Sequence, residues 1–96
     1  MQVNEKILNS IKTIHKEAVI IIRAGTFCNV YGKDAYIISY LFGYKLRRIQ
    51  NNILSTGFPK EAINKVMSKL ECRKIDYLVV NKKIIMKLKK NLLTTT

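Results

Sequence analysis

Phe27 is a residue of this sequence that could do recognition chemistry. It stands in Ala24-Gly25-Thr26-Phe27-Cys28-Asn29-Val30-Tyr31-Gly32-Lys33-Asp34-Ala35, a glycine-bounded stretch between an apolar run and a helix start. The ring has two readings: it fills the core beneath a sheet, or it reaches a partner. As a probe it would stack on a base of single-stranded nucleic acid, an interaction worth about 1–3 kcal/mol.

The charge balance narrows the partner. The chain carries 18 Lys and Arg against 6 Asp and Glu, a formal charge of +12. Such a field attracts polyanions and speeds their encounter. Nucleic acid is the first candidate, an anionic membrane surface the second, an acidic protein the third. An AT-rich genome would also inflate Lys, Ile and Asn, but it normally brings Glu with Lys, and Glu is scarce here.

The cations fall in three groups. Lys45, Arg47 and Arg48 sit on an expected hairpin. Lys65, Lys69 and Arg73 recur at i, i+4, i+8 on one side of an expected helix. Lys82, Lys83, Lys87, Lys89 and Lys90 make a basic tail. A charge run is often only a solvated face. Here the excess is distributed over three elements with little compensation, so phosphate contacts are expected. Arg47 and Arg48 can make bidentate contacts, whereas Lys acts as a point charge.

Other chemistries find little support. The chain has one histidine, His15, and its few acids are scattered, so no tuned acid–base pair is visible. Cys28 and Cys72 are far apart and no CxxC spacing occurs, which argues against a zinc site. No catalytic residue, metal ligand or cofactor is therefore expected. Cys28, with no base nearby in sequence, reads as buried or inert. Two isolated thiols without a signal peptide suggest a reducing cytoplasm. The longest apolar run, Ala18 to Ile22, is too short to span a bilayer, so no membrane partner is expected.

The elements that must position these groups can be read from periodicity. Val3, Ile7, Ile11, Ile14 and Ala18 share one helical face opposite Lys6, Asn9, Lys12 and Lys16, with Asn4 as a cap. Ala18 to Ile22 is continuous and β-branched, the pattern of a strand covered on both faces. Thr26 to Tyr31 alternates and returns as a hairpin partner. Asp34 suits an N-cap, Ala35 to Phe42 a helix, and Gly43 its left-handed stop. Tyr44 to Ile49 and Ile53 to Thr56 read as strands about an Asn51-Asn52 turn. Pro59 fits the first turn of a helix that runs from Glu61 to about Arg73 and buries Ile63, Val66, Met67 and Leu70. Tyr77 to Val80 is a strand. Ile84 to Leu88 is read as a further strand in preference to a short helix, and residues 91–96 as a frayed tail. Tyr36 and Tyr40 are expected to cover one side of their helix.

These residues are similar to those of the MutS family of DNA repair proteins, in its N-terminal mismatch-recognition domain. That family has an apolar strand, then Gly-Asp-Phe-Tyr-Glu-Leu-Phe, then Asp-Ala opening a helix. Here Gly25-Thr26-Phe27-Cys28-Asn29-Val30-Tyr31 is followed by Gly32-Lys33 and Asp34-Ala35. The family's Gly-(Ile/Val)-Pro segment, helix and strand resemble Gly57-Phe58-Pro59, the run to Lys69-Leu70, and Tyr77-Leu78-Val79-Val80. The resemblance covers about residues 19–81. It implies that Phe27 occupies the position of a wedge that stacks on a mispaired base from the minor groove. It places Asn29 where the family has a Glu that hydrogen-bonds that base. Asn can still donate and accept, but it cannot present a carboxylate. The family's lever, clamp and ATPase domains do not fit in 96 residues, and no phosphate-binding loop occurs.

The expectation is one α/β domain over residues 1–96, with a small mixed sheet of about five to six strands and about three helices packed on it. Its expected role is non-enzymatic binding of distorted or partly unpaired nucleic acid, DNA ahead of RNA. The expected contacts are Phe27, Asn29, Lys45, Arg47, Arg48, Lys65, Lys69 and Arg73. A larger enzyme, in repair or in a retroelement, would be its protein partner, and exposed sheet edges could support a homodimer. The rival is a protein–protein adaptor that kept the fold and lost mismatch recognition. Its basic surface would meet an acidic partner, or Ile84 to Leu93 would pair with another chain.

Overall fold

The computed structural model describes residues 5–83. Its centre is strand β1 (Val19–Ala24). The β-branched run gives it high strand propensity, and every apolar side chain from Val19 to Ile22 is buried. Each contributes about 1.5–3 kcal/mol. Gly25, at φ 63°, turns the chain into β2 (Phe27–Tyr31), which pairs antiparallel with β1. Strand β5 (Tyr77–Asn81) pairs parallel with the other edge of β1. Two further strands, β3 (Arg47–Arg48) and β4 (Leu54–Pro59), complete a mixed sheet of order β3-β4-β2-β1-β5.

Alternation along the strands sorts the core into two layers. Val19, Ile21, Cys28, Val30 and Phe58 point to one side. There they meet Ala35 and Ile38 of helix α2 (Lys33–Phe42), and Val66 and Leu70 of helix α3 (Ile63–Cys72). Ile20, Ile22 and Tyr31 point to the other side, where Leu8 and Ile11 of helix α1 (Glu5–Ile14) cover them with Ile49 and Ile53. Stacked rings brace the first layer: Phe58 lies 5.6 Å from Tyr44, and Tyr44 lies 5.7 Å from Phe42. Among the described residues the fold is the expected α/β arrangement, with five strands and three helices. The strand expected at Ile84 to Leu88, the end of the basic tail and residues 91–96 lie outside the described residues, as do Val3 and Asn4.

Four local expectations differ. Asp34 is not the N-cap of α2. Gly32 holds that position with φ 67°, and Asp34 lies buried in the first turn. Its Oδ2 accepts the Ile20 N–H at 3.1 Å, and its Oδ1 stands 3.1 Å from the Lys12 ammonium. Ile14, expected on the buried face of α1, is 76 % exposed, because the helix ends at that residue. The strand expected from Tyr44 to Ile49 shrinks to two paired residues. Pro59 closes β4, and a 3-10 turn, Lys60–Ala62, intervenes before α3.

Candidate nucleic-acid interface

The alternation that buries Cys28 and Val30 turns Phe27 and Asn29 to the opposite side of β2. Helix α1 covers the β1 and β5 part of that side but not all of it. Phe27 is 51 % exposed and is not core. The register continues this face across the sheet: Phe27 pairs with Pro59, Asn29 with Gly57, Tyr31 with Ser55, and Ser55 in turn with Arg47. These residues enclose a groove of about 260 Å³, lined by Phe27 and Asn29 on one wall, Gly57 and Ser55 on the floor, and Lys45 and Arg47 on the far wall.

Gly57 makes the floor possible. Its backbone needs no glycine, but its position does. A Cβ there would stand 3.1 Å from Asn29 Oδ1, 3.1 Å from the Cys28 carbonyl oxygen and 3.6 Å from Phe27 Cδ1. The first two distances are tighter than ordinary side-chain packing. The Phe27 ring therefore leans over a strand position that carries no side chain. Thr56 fixes the far wall from behind, donating from Oγ1 to the Lys45 carbonyl at 2.9 Å.

The other sequence-predicted cations go elsewhere. Arg48 pairs with Leu54, which packs with the α2–α3 layer, so Arg48 and Arg47 point to opposite faces. Lys65 and Lys69 lie on α3 and Arg73 caps its C-terminal end, across the sheet from the groove. Lys65 and Arg73 are exposed. The Lys69 ammonium donates to the Leu41 carbonyl at 3.0 Å and lies 5.1 Å from the centre of the Phe42 ring. It neutralises the carbonyl end of α2. Thus Phe27, Asn29, Lys45 and Arg47 come together, and Arg48, Lys65, Lys69 and Arg73 do not join them.

Sequence reasoning missed Gly57 and Ser55 as floor residues. The available signal was a glycine inside an otherwise strand-like run, which often marks a close approach.

Other reactive groups stand apart from the groove. Cys28 is fully buried, and burial pushes its thiol above the ordinary range. Arg23 partly opposes that shift and Glu61 adds to it. Cys72 is exposed. His15, Glu17, Glu71, Asp76 and Tyr77 line a broad depression at the opposite end of β1. There Tyr77 Oη donates to Glu71 Oε1, and that hydrogen bond raises the phenol above its usual range. Among the described residues, no group of His, Cys, Asp or Glu has the arrangement to hold a metal ion. No described helix is long and apolar enough to cross a membrane.

A family model described as MutS domain I matches residues 4–90, a wider span than the motifs alone outline. No curated protein matches the chain.

Proposed function

The chain belongs to the MutS domain I family, and from that premise we propose that it is a non-enzymatic nucleic-acid-binding domain that seeks distorted or partly unpaired sites, DNA ahead of RNA. The observation that carries this reading is the placement of Phe27. A large apolar ring is left half in solvent beside a carboxamide, and the facing wall carries two cations. A ring so placed can stack on a base freed from its neighbours, while Lys45 and Arg47 meet the flanking phosphates. Arg48, Lys65 and Arg73 are exposed and add an outer field that holds the polyanion without reading it. In this role the domain would work in the cytoplasm as an accessory to a larger enzyme of repair or of a retroelement.

The test compares plain duplex, mismatched duplex, single-stranded DNA and structured RNA at two salt concentrations, for the native chain and Phe27→Ala. Distorted or unpaired DNA should bind tightest, and Phe27→Ala should weaken that binding by about tenfold, the worth of one stacked base. Steeply salt-dependent binding that ignores Phe27→Ala would leave only nonspecific electrostatics.

A second reading, the protein adaptor, is favoured by Tyr36 and Tyr40, one helical turn apart on α2. They are 58 % and 79 % exposed on its outer surface. Adjacent exposed aromatics are the residue type that anchors protein interfaces. No binding to any nucleic acid at low salt would favour this reading over the first. Among the described residues β5 ends the sheet, and its outer edge offers a route to a homodimer by strand pairing.

A further inference from the structure

We infer that the depression at the far end of β1 from the groove is a contact surface for a second copy of this chain, with Ile14 of each copy seated in the depression of the other. The inference goes beyond the nucleic-acid reading and does not depend on it.

The depression holds about 820 Å³ and lies between the last turn of α1 and the end of α3. Ile14 stands at its rim, 76 % exposed, and burial against a partner would remove that apolar surface from water. Further in, Ala18 is buried and Ile75 and Leu78 are half-buried, so the recess offers an apolar bed. An exposed isoleucine beside an apolar recess is self-complementary. A twofold axis lets each Ile14 enter the opposite recess.

Charge supports the same partner. The chain carries +12, yet three of its six acids, Glu17, Glu71 and Asp76, line this depression. Glu71 is engaged by Tyr77 Oη. That leaves Glu17 and Asp76 beside Lys16 and Lys74, all four exposed. A twofold contact can set each lysine against an acid of the other copy. Elsewhere on the chain cations outnumber acids several-fold, and two copies meeting there would repel.

Position makes the contact compatible with the groove. The depression borders the start of β1, where Val19 pairs with Tyr77. Phe27 pairs with Ala24 at the other end of the strand, about 17 Å away at ~3.3 Å per residue. Both grooves of the dimer therefore stay open. The contact is made by side chains and needs no strand pairing at β5. The two net charges of +12 oppose approach, and salt screens that repulsion while sparing the apolar contact. Association should therefore tighten as salt rises, the reverse of phosphate docking.

The experiment is sedimentation equilibrium of the chain without nucleic acid, over micromolar concentrations at low and high salt. The native chain should show a monomer–dimer equilibrium that shifts toward dimer at high salt. Ile14→Asp should raise the dimer dissociation constant about tenfold or more, the loss of a central apolar anchor. Asp76→Lys, which leaves like charges facing one another, should raise it several-fold. Both positions are exposed, and thermal melting verifies that each variant folds. A native chain that stays monomeric in every condition would overturn the inference. So would a dimer that loosens as salt rises. A dimer that both folded variants leave intact would also overturn it and assign association to another surface, such as the edge of β5. Because no nucleic acid is present, each of these failures is separate from failure of the nucleic-acid reading.

Discussion

The Asp34 carboxylate sits between the Ile20 N–H, 3.1 Å from Oδ2, and the Lys12 ammonium, 3.1 Å from Oδ1. One short side chain thus ties the start of α2 to β1 and to the end of α1. Lys12 also donates to the Ala18 carbonyl at 2.7 Å, so the knot includes the turn that leads into the sheet. Asp34→Ala leaves the buried Ile20 N–H without its acceptor. It should cost about 1–3 kcal/mol in urea unfolding. Lys12→Met keeps the stem and loses the charge. It should cost less, because the Lys12 side chain is 31 % exposed and its ion pair is weakened by water. The double mutant measures the coupling. An Asp34→Ala protein as stable as the native one would show the knot to be incidental.

What could be read from the residues alone was what local chemistry decides. The continuous β-branched run from Val19 to Ile22 reads as a doubly covered strand, and it stands at the centre of the sheet. Val66 and Leu70 recur at helical spacing and are buried as that spacing requires. Gly43 ends α2 at φ 74°, with its N–H on the Ser39 carbonyl. Partners distant in sequence escaped. Asp34 looks like a cap because its neighbours suit one, but its ligands come from β1 and α1. Lys69 looks like a free cation until Leu41, 28 positions away, takes it. Gly57 is needed by Asn29 and Phe27 across the ladder; a glycine inside a strand-like run signals a close approach but does not say to which residues.

The split of the cations between two faces predicts an uneven salt response. Each phosphate neutralised on duplex adds about 0.9 to the slope of log K against log salt. Lys45→Ala and Arg47→Ala, on the groove wall, should each lower the slope by about that amount. Lys69→Ala should leave the slope nearly unchanged and instead lower stability by about 1 kcal/mol, because it removes the Leu41 hydrogen bond and the contact with Phe42. A slope lowered as much by Lys69→Ala as by Arg47→Ala would mean that the α3 face also docks on phosphate.

Burial of Tyr31 has a consequence at alkaline pH. It pushes the phenol up to about 12 from the ordinary 10. Between those values the folded chain keeps the proton while the unfolded chain has lost it, so stability falls as pH rises. The contribution is fully present below about pH 10 and is lost progressively toward about pH 12. Denaturation midpoints across that window should decline less steeply in Tyr31→Phe than in the native chain. Parallel declines would show that the ring ionises as freely folded as unfolded.

Phe27 and Phe58 occupy neighbouring pairs of the β2–β4 ladder, yet they face opposite ways. Phe27 pairs with Pro59 and is 51 % exposed, whereas Phe58 pairs with Cys28 and is 1 % exposed. Their energetic roles should separate accordingly. Phe58→Ala empties a packed layer and removes the stack on Tyr44, at a cost of about 3–5 kcal/mol. Phe27→Ala gives up only a half-solvated ring lying over Gly57 and should cost less than about 1 kcal/mol. Urea unfolding of the two variants measures both. A small cost at Phe27 means that little folding energy depends on its ring, which leaves the ring free to stack on a partner and makes the binding loss in Phe27→Ala a direct reading of that contact. A cost as large as that of Phe58→Ala would make Phe27 a strut of the sheet and remove the exposed ring from the recognition argument.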